Sequence, residues 1–160
     1  MIAVQKELPV RKKNRLQGYD YSQNGKYFVT ICVKDMHELL GRIVGAISNR
    51  PCIELSEIGK AAEIALHKLD ETIEIDKYII MPNHIHMIIR IQNSGRTEFA
   101  PTISSIVRFC KSYVTKQIGY SIWQRSYYDR IIRDETEYQK IWQYIDQNPV
   151  QWQNDCYYTK

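Results

Sequence analysis

The chain has 160 residues, a formal charge of +4 and a sequence pI of about 8.8. That length fits one domain over residues 1–160, with enough chain to bury a core without covalent staples. No apolar run reaches the ~18 residues of a membrane span, the N-terminus lacks the apolar stretch of a signal peptide, and Cys32, Cys52, Cys110 and Cys156 form no CxxC pair, which excludes a transmembrane helix, a secretory leader and a zinc knuckle and points to reduced thiols in a cytoplasmic protein.

Residues 1–25 read as a basic, turn-rich N-terminal arm, in which Arg11, Lys12, Lys13 and Arg15 cluster. Such a cluster suits a phosphate partner, because binding releases condensed counterions; it suits a solvated surface equally. "KYFVTICV" (26–33) is β-branched and aromatic and predicts a strand. Residues 35–51 predict a loop and a short hairpin. Ser56 caps a helix running to Leu69, with Ile58, Ala61, Ala62, Ala65 and Leu69 on one face and Gly59 as its weak point. "TIEIDKYIIM" (72–81) predicts a strand with Ile73, Ile75, Ile79 and Met81 on one side, broken by Pro82 and Asn83. "HIHMIIRI" (84–91) is the next strand. Thr102 caps a second helix to about Ile118, with Ile103, Ile106, Val107, Cys110 and Val114 facing inward. "RSYYDRIIR" (125–133) predicts a strand. Asp134 caps the last helix, Glu137 completes a capping box, and Pro149 stops the helix near Asn148.

Strand, helix, strand, strand, helix, strand is the order of a ferredoxin-like (RRM-like) βαββαβ α+β fold, here with an extra C-terminal helix. Both crossover helices then lie on one face of an antiparallel sheet. The other face is left for the extra helix and a ligand.

Alternation along the second central strand puts Ile85, Met87, Ile89 and Ile91 on the helix-covered face and His84, His86, Ile88 and Arg90 on the other. Two imidazoles about 7 Å apart along one strand face can grip a divalent ion; they can also be polar-face residues that happen to be histidine. Asp76 and Glu74 on the neighbouring strand are candidate carboxylate ligands. On the last helix, Tyr138, Ile141, Trp142 and Ile145 form the packing stripe at about 100° per residue. Tyr144 lies off that stripe, and Asn148 one turn beyond it on the same flank. A tyrosine can serve as a nucleophile, and an asparagine amide oxygen can ligate a metal. The 12 tyrosines also suit stacking on single-stranded nucleic acid.

Together, "YDYSQNGKYFVTICVKD" with the following "LLGRIV", "YIIMPNHIHMIIRI" and "IWQRSYYDRIIRDETEYQKIWQYIDQNPVQW" resemble the single-tyrosine HUH transposases of bacterial insertion sequences, and most of all the REP-associated tyrosine transposases. The resemblance spans roughly Tyr19 to Trp152. It implies that His84, His86 and Asn148 hold Mg²⁺ or Mn²⁺ and that Tyr144 is the nucleophile. The implied substrate is single-stranded DNA bearing hairpins, at transposon ends or REP-like repeats. Attack leaves a 5′-phosphotyrosine and a free 3′-hydroxyl, so strand transfer needs no nucleotide cofactor. The family often has His where this chain has Arg130, so Arg130 joins the arm residues, Lys111 and Lys116 as candidate DNA contacts. Proteins of this class work as homodimers or as monomers. The alternatives are a non-catalytic single-stranded nucleic-acid-binding protein on the same sheet, which leaves the histidines, Tyr144 and Asn148 unexplained, and a small zinc hydrolase, which lacks a third histidine or acidic motif.

Overall fold

The computed structural model describes Gly18 and residues 23–47, 50–69, 73–92 and 101–159; the basic cluster Arg11, Lys12, Lys13 and Arg15 lies outside these. Four strands form one antiparallel sheet: β1 (Gly25–Cys32), β4 (Ile73–Ile80), β5 (His84–Ile91) and β6 (Tyr128–Ile132), in the order β4-β5-β1-β6. Two helices, α1 (Glu57–His67) and α2 (Ile103–Ile118), make the crossovers. This is the ferredoxin-like arrangement, and its first and third strands in that scheme, β1 and β5, are central.

The core lies between the sheet and these helices. Tyr27, Val29 and Ile31 of β1 and Ile85, Met87, Ile89 and Ile91 of β5 pack on Ala62 and Leu66 of α1 and on Ile103, Ile106, Val107, Cys110 and Val114 of α2. The predicted inward face of α2 is therefore its buried face. Thr102 accepts from the Ser105 N–H while the Ser105 hydroxyl accepts from the Thr102 N–H, and Gly119 ends the helix in the left-handed region. The Ser56 hydroxyl accepts from the Gly59 N–H and donates to the Leu39 carbonyl. Gly59, a weak helix former, is required by packing: a Cβ there would come within 1.9 Å of the Leu40 carbonyl oxygen.

Residues 35–51 depart from expectation in extent. A 3₁₀ turn at Lys34–Met36 is followed by β2 (Gly41–Ile47) and β3 (Arg50–Leu55), which pair only with each other as a separate two-stranded sheet. The hairpin runs to Leu55 and leads directly into the Ser56 cap.

A second correction concerns β4. Its register against β5 shifts between Ile75 and Lys77, so Ile75 opposes Ile89, whereas Tyr78 opposes Met87 and Ile79 opposes His86. The extra residue, Asp76, turns the strand over. Ile73 and Ile75 join the main core, and Ile79 packs on the opposite face, against the last helix.

That helix, α3 (Glu135–Gln147), covers part of the second sheet face. Ile145, Tyr138, Ile141 and Trp142 pack on Phe28, Ile79, Ile88 and Ile132. Asp134 accepts from the Glu137 N–H, but the Glu137 carboxylate accepts from the Arg133 N–H, one residue before the cap, so the expected reciprocal box is offset. A 3₁₀ turn at Trp152–Asn154 then returns the chain toward β5. No helix among the described residues is long and apolar enough to cross a membrane.

Candidate active site

The site forms where the start of β5, the middle of β1, the last turns of α3 and the C-terminal tail meet. His84 and His86 share the α3 side of β5, with ring centroids 4.3 Å apart. Both are buried, at 0% and 1% exposure. Burial holds the His84 imidazolium down to about 4, against the opposing pull of Asp155, and holds His86 well below the usual histidine value, with help from the His84 charge. Both rings are therefore neutral near pH 7, the state in which imidazole donates a lone pair.

The inner ring nitrogens have fixed partners. His84 Nδ1 lies 2.8 Å from Asn83 Oδ1. The Asn83 amide cannot turn over, because its Nδ2 donates to the Met36 carbonyl at 3.1 Å and the Tyr157 carbonyl at 2.8 Å. Its Oδ1 must accept, so the His84 proton sits on Nδ1 and the Nε2 lone pair is left free. His86 Nδ1 lies 2.8 Å from the Thr30 hydroxyl, directly across the β1–β5 ladder.

Tyr144 and Asn148 come to the same place from α3. The Tyr144 hydroxyl is 3.3 Å from His86 Nε2, and the ring meets Phe28 edge-on. Asn148 is buried to 2% exposure beside His84, and its Nδ2 donates to Asp155 at 2.6 Å. Its Oδ1 and His84 Nε2 are both buried without a hydrogen-bond partner. Two buried acceptors left unpaired side by side are costly unless a donor or cation completes them. The set of two neutral imidazole nitrogens and an amide oxygen fits a divalent metal. Tyr144 itself is 40% exposed, and desolvation together with the Asp155 charge pushes its hydroxyl well above the usual tyrosine range.

Four further residues build the site without having been singled out in sequence: Asn83, Thr30, Asp155 and Tyr157. Asp155 accepts from the Tyr144 hydroxyl at 3.0 Å. The Tyr157 ring lies over His84, with centroids 4.5 Å apart, and Trp152 flanks the same imidazole at 5.8 Å. Asn83 is visible in sequence only as the strand breaker of "MPN", which gives no hint of its hydrogen bonds.

Other candidates lie elsewhere. Glu74 and Asp76 are taken by Arg90, at 3.6 and 2.9 Å, and Asp76 also accepts from Tyr138. They sit at the far end of β5 from the histidines, and no group of three His, Cys, Asp or Glu among the described residues is arranged to hold a metal. Lys111 and Lys116 belong to α2, across the sheet from the site. The Lys111 ammonium is spent on the Gln124 and Ser126 carbonyls, at 2.7 and 3.0 Å, so it lines no groove beside the histidines. Arg130 does share the sheet face of the site, next to Phe28, but is ion-paired with Glu137 at 2.5 Å.

No protein-family model matches the chain. An uncharacterized protein of Haemophilus influenzae is 34% identical over 173 aligned positions, covering 93% of each chain. Among solved structures, a REP-associated tyrosine transposase bound to a REP hairpin superposes with a TM-score of 0.63 at 22% identity, over 89% of this chain and 74% of that one. At that identity the likeness is one of fold.

Proposed function

The chain belongs to the family of that Haemophilus influenzae protein, and we propose that it is a metal-dependent single-tyrosine HUH endonuclease and strand transferase, a transposase acting on hairpin-bearing single-stranded DNA. The observation that carries this reading is the convergence on one point of His84 and His86 of β5 with Tyr144 and Asn148 at the end of α3, Tyr144 lying 58 residues from His86 in sequence. The fold shared with a hairpin-bound tyrosine transposase supports it.

In this reading His84 Nε2, His86 Nε2 and Asn148 Oδ1 hold Mg²⁺ or Mn²⁺. When bound, the ion polarises the phosphodiester oxygens and offsets their charge. The Tyr144 oxygen attacks phosphorus, the bond to the 3′-oxygen breaks, and a 5′-phosphotyrosine and a 3′-hydroxyl result. A tyrosine held protonated by burial is a poor nucleophile until its proton is removed. Beside it runs a groove of about 470 Å³, lined by Lys140, Gln143 and Gln147 on the exposed flank of α3, by Gln151 just beyond it and, at the Tyr144 end, by Asp155. Amides and an ammonium suit a sugar–phosphate chain entering along this flank. Arg11, Lys12, Lys13 and Arg15 would add backbone contacts to the hairpin.

Labelled hairpin-ended single-stranded DNA, incubated with the protein and Mn²⁺ or Mg²⁺ and run on a denaturing gel, tests the proposal. A covalent adduct is expected, absent in Tyr144→Phe and in His84→Ala. DNA bound without any adduct would leave only the non-catalytic binder; an adduct that survives Tyr144→Phe would move the nucleophile elsewhere.

A further inference from the structure

Asn148 can serve a cation only one way round: its oxygen must face His84 and its NH₂ must face away. Nothing in α3 imposes that choice. The choice is made by Asp155, whose Oδ2 accepts from Asn148 Nδ2 at 2.6 Å and from the Tyr144 hydroxyl at 3.0 Å. Its Oδ1 accepts the Tyr157 N–H at 2.8 Å. Three donors thus converge on one side chain that has only acceptors. The carboxylate is in turn held by its surroundings: Trp152, three residues before it, is buried, and Asn83 holds the Tyr157 carbonyl two residues after it.

We propose that Asp155 is a positioning residue of this site, a single carboxylate that orients both the Asn148 amide and the Tyr144 hydroxyl. This rests on the reading of Tyr144, His84, His86 and Asn148 given above. An asparagine at this position cannot do the same work. Whichever way its amide turns, one end presents an NH₂ to a donor, either the Tyr157 N–H or the Asn148 and Tyr144 pair. In the second case the Asn148 amide is free to turn over and offer its NH₂ to the metal.

The test uses the full chain. Mn²⁺ binding is followed by calorimetry without DNA, and adduct formation is followed on the gel. Asp155→Asn is expected to weaken Mn²⁺ binding by about 10- to 100-fold, as loss of an outer-shell partner typically does, and to slow adduct formation. An unchanged far-ultraviolet circular dichroism spectrum checks that the variant is folded. In the double variant with Asn148→Ala, Asp155→Asn should cost no further Mn²⁺ affinity, because its effect on the metal passes through Asn148. Additive losses would overturn the proposal. So would unchanged Mn²⁺ binding and unchanged adduct formation in Asp155→Asn, which would leave the role of Tyr144 standing. A chain that binds no Mn²⁺ at all would overturn this inference and the proposed metal site together.

Discussion

Asn83 does more than break a strand. Its side chain, fully buried, joins His84, the Met36 carbonyl and the Tyr157 carbonyl. Asn83→Ala should therefore leave the buried His84 Nδ1 and two part-buried carbonyls unpaired and cost about 2–4 kcal/mol. Urea denaturation reads that loss, and a Mn²⁺ titration should show weakened binding once the His84 tautomer is no longer fixed. Tyr157 has a different role, since it covers the His84 ring. Tyr157→Ala should speed His84 modification by diethyl pyrocarbonate severalfold, followed by mass spectrometry; an unchanged rate would mean that the ring is no barrier. Alternation on β5 pairs His84 with His86, and helical spacing pairs Tyr144 with Asn148, so each pair was legible from its own element, whereas their joint role was legible only through the family resemblance. Thr30, Asn83, Asp155 and Tyr157 were not legible, because their partners are set by tertiary contact: Thr30 meets a ring 56 residues away and Asn83 a carbonyl 74 residues away.

At the scale of elements, the bulge in β4 decides how α3 docks. A regular strand would have put Ile79 on the same side as Ile75. The extra residue sends Ile79 to the α3 side and places Asp76 where it receives both Arg90 and Tyr138, with its side chain only 4% exposed. Strand periodicity could not reveal this, since a bulge changes the count of residues without changing their chemistry. Hairpin β2–β3 was only half legible for a related reason: its strands satisfy each other and show no pattern imposed by the main sheet. Asp76→Ala removes an acceptor shared by a guanidinium one-third exposed and a tyrosine hydroxyl. The expected cost is about 2–3 kcal/mol, below that of a fully buried ion pair because Arg90 retains water. Adduct yield should fall as well, because α3 carries Tyr144. If stability drops while adduct yield per folded protein is unchanged, the docking of α3 does not control the nucleophile.

For the molecule as a whole, the sheet separates two kinds of interior. The face under α1 and α2 is almost wholly apolar, and periodicity reached its residues on α1, α2 and β5 but not Tyr78, which the β4 bulge turns to this side. The face under α3 and the tail buries two histidines, two asparagines and a threonine among aromatic rings. That arrangement ties global stability to pH. The folded chain holds His84 at about 4 and His86 well below its usual value, while an unfolded histidine titrates near 6.5. Below 6.5 the unfolded chain takes up protons that the folded chain refuses, so acid favours unfolding. The stability is fully present above pH 6.5 and is lost as the pH falls toward 4. Two such groups should remove roughly 2–3 kcal/mol between pH 7.5 and pH 5.5, a range that lies above ordinary carboxylate titration. Urea midpoints of the chelator-treated protein at the two pH values measure the loss, and the His84→Gln, His86→Gln double variant should show a much flatter profile. A stability that does not change between pH 7.5 and 5.5 would mean that the two rings are not held neutral. Added Mn²⁺ should raise the midpoint by a similar amount at both pH values, since a His84 ring that stays neutral down to about 4 offers the ion the same lone pair at pH 5.5 as at 7.5; a much smaller rise at pH 5.5 would mean that protons compete for the folded site.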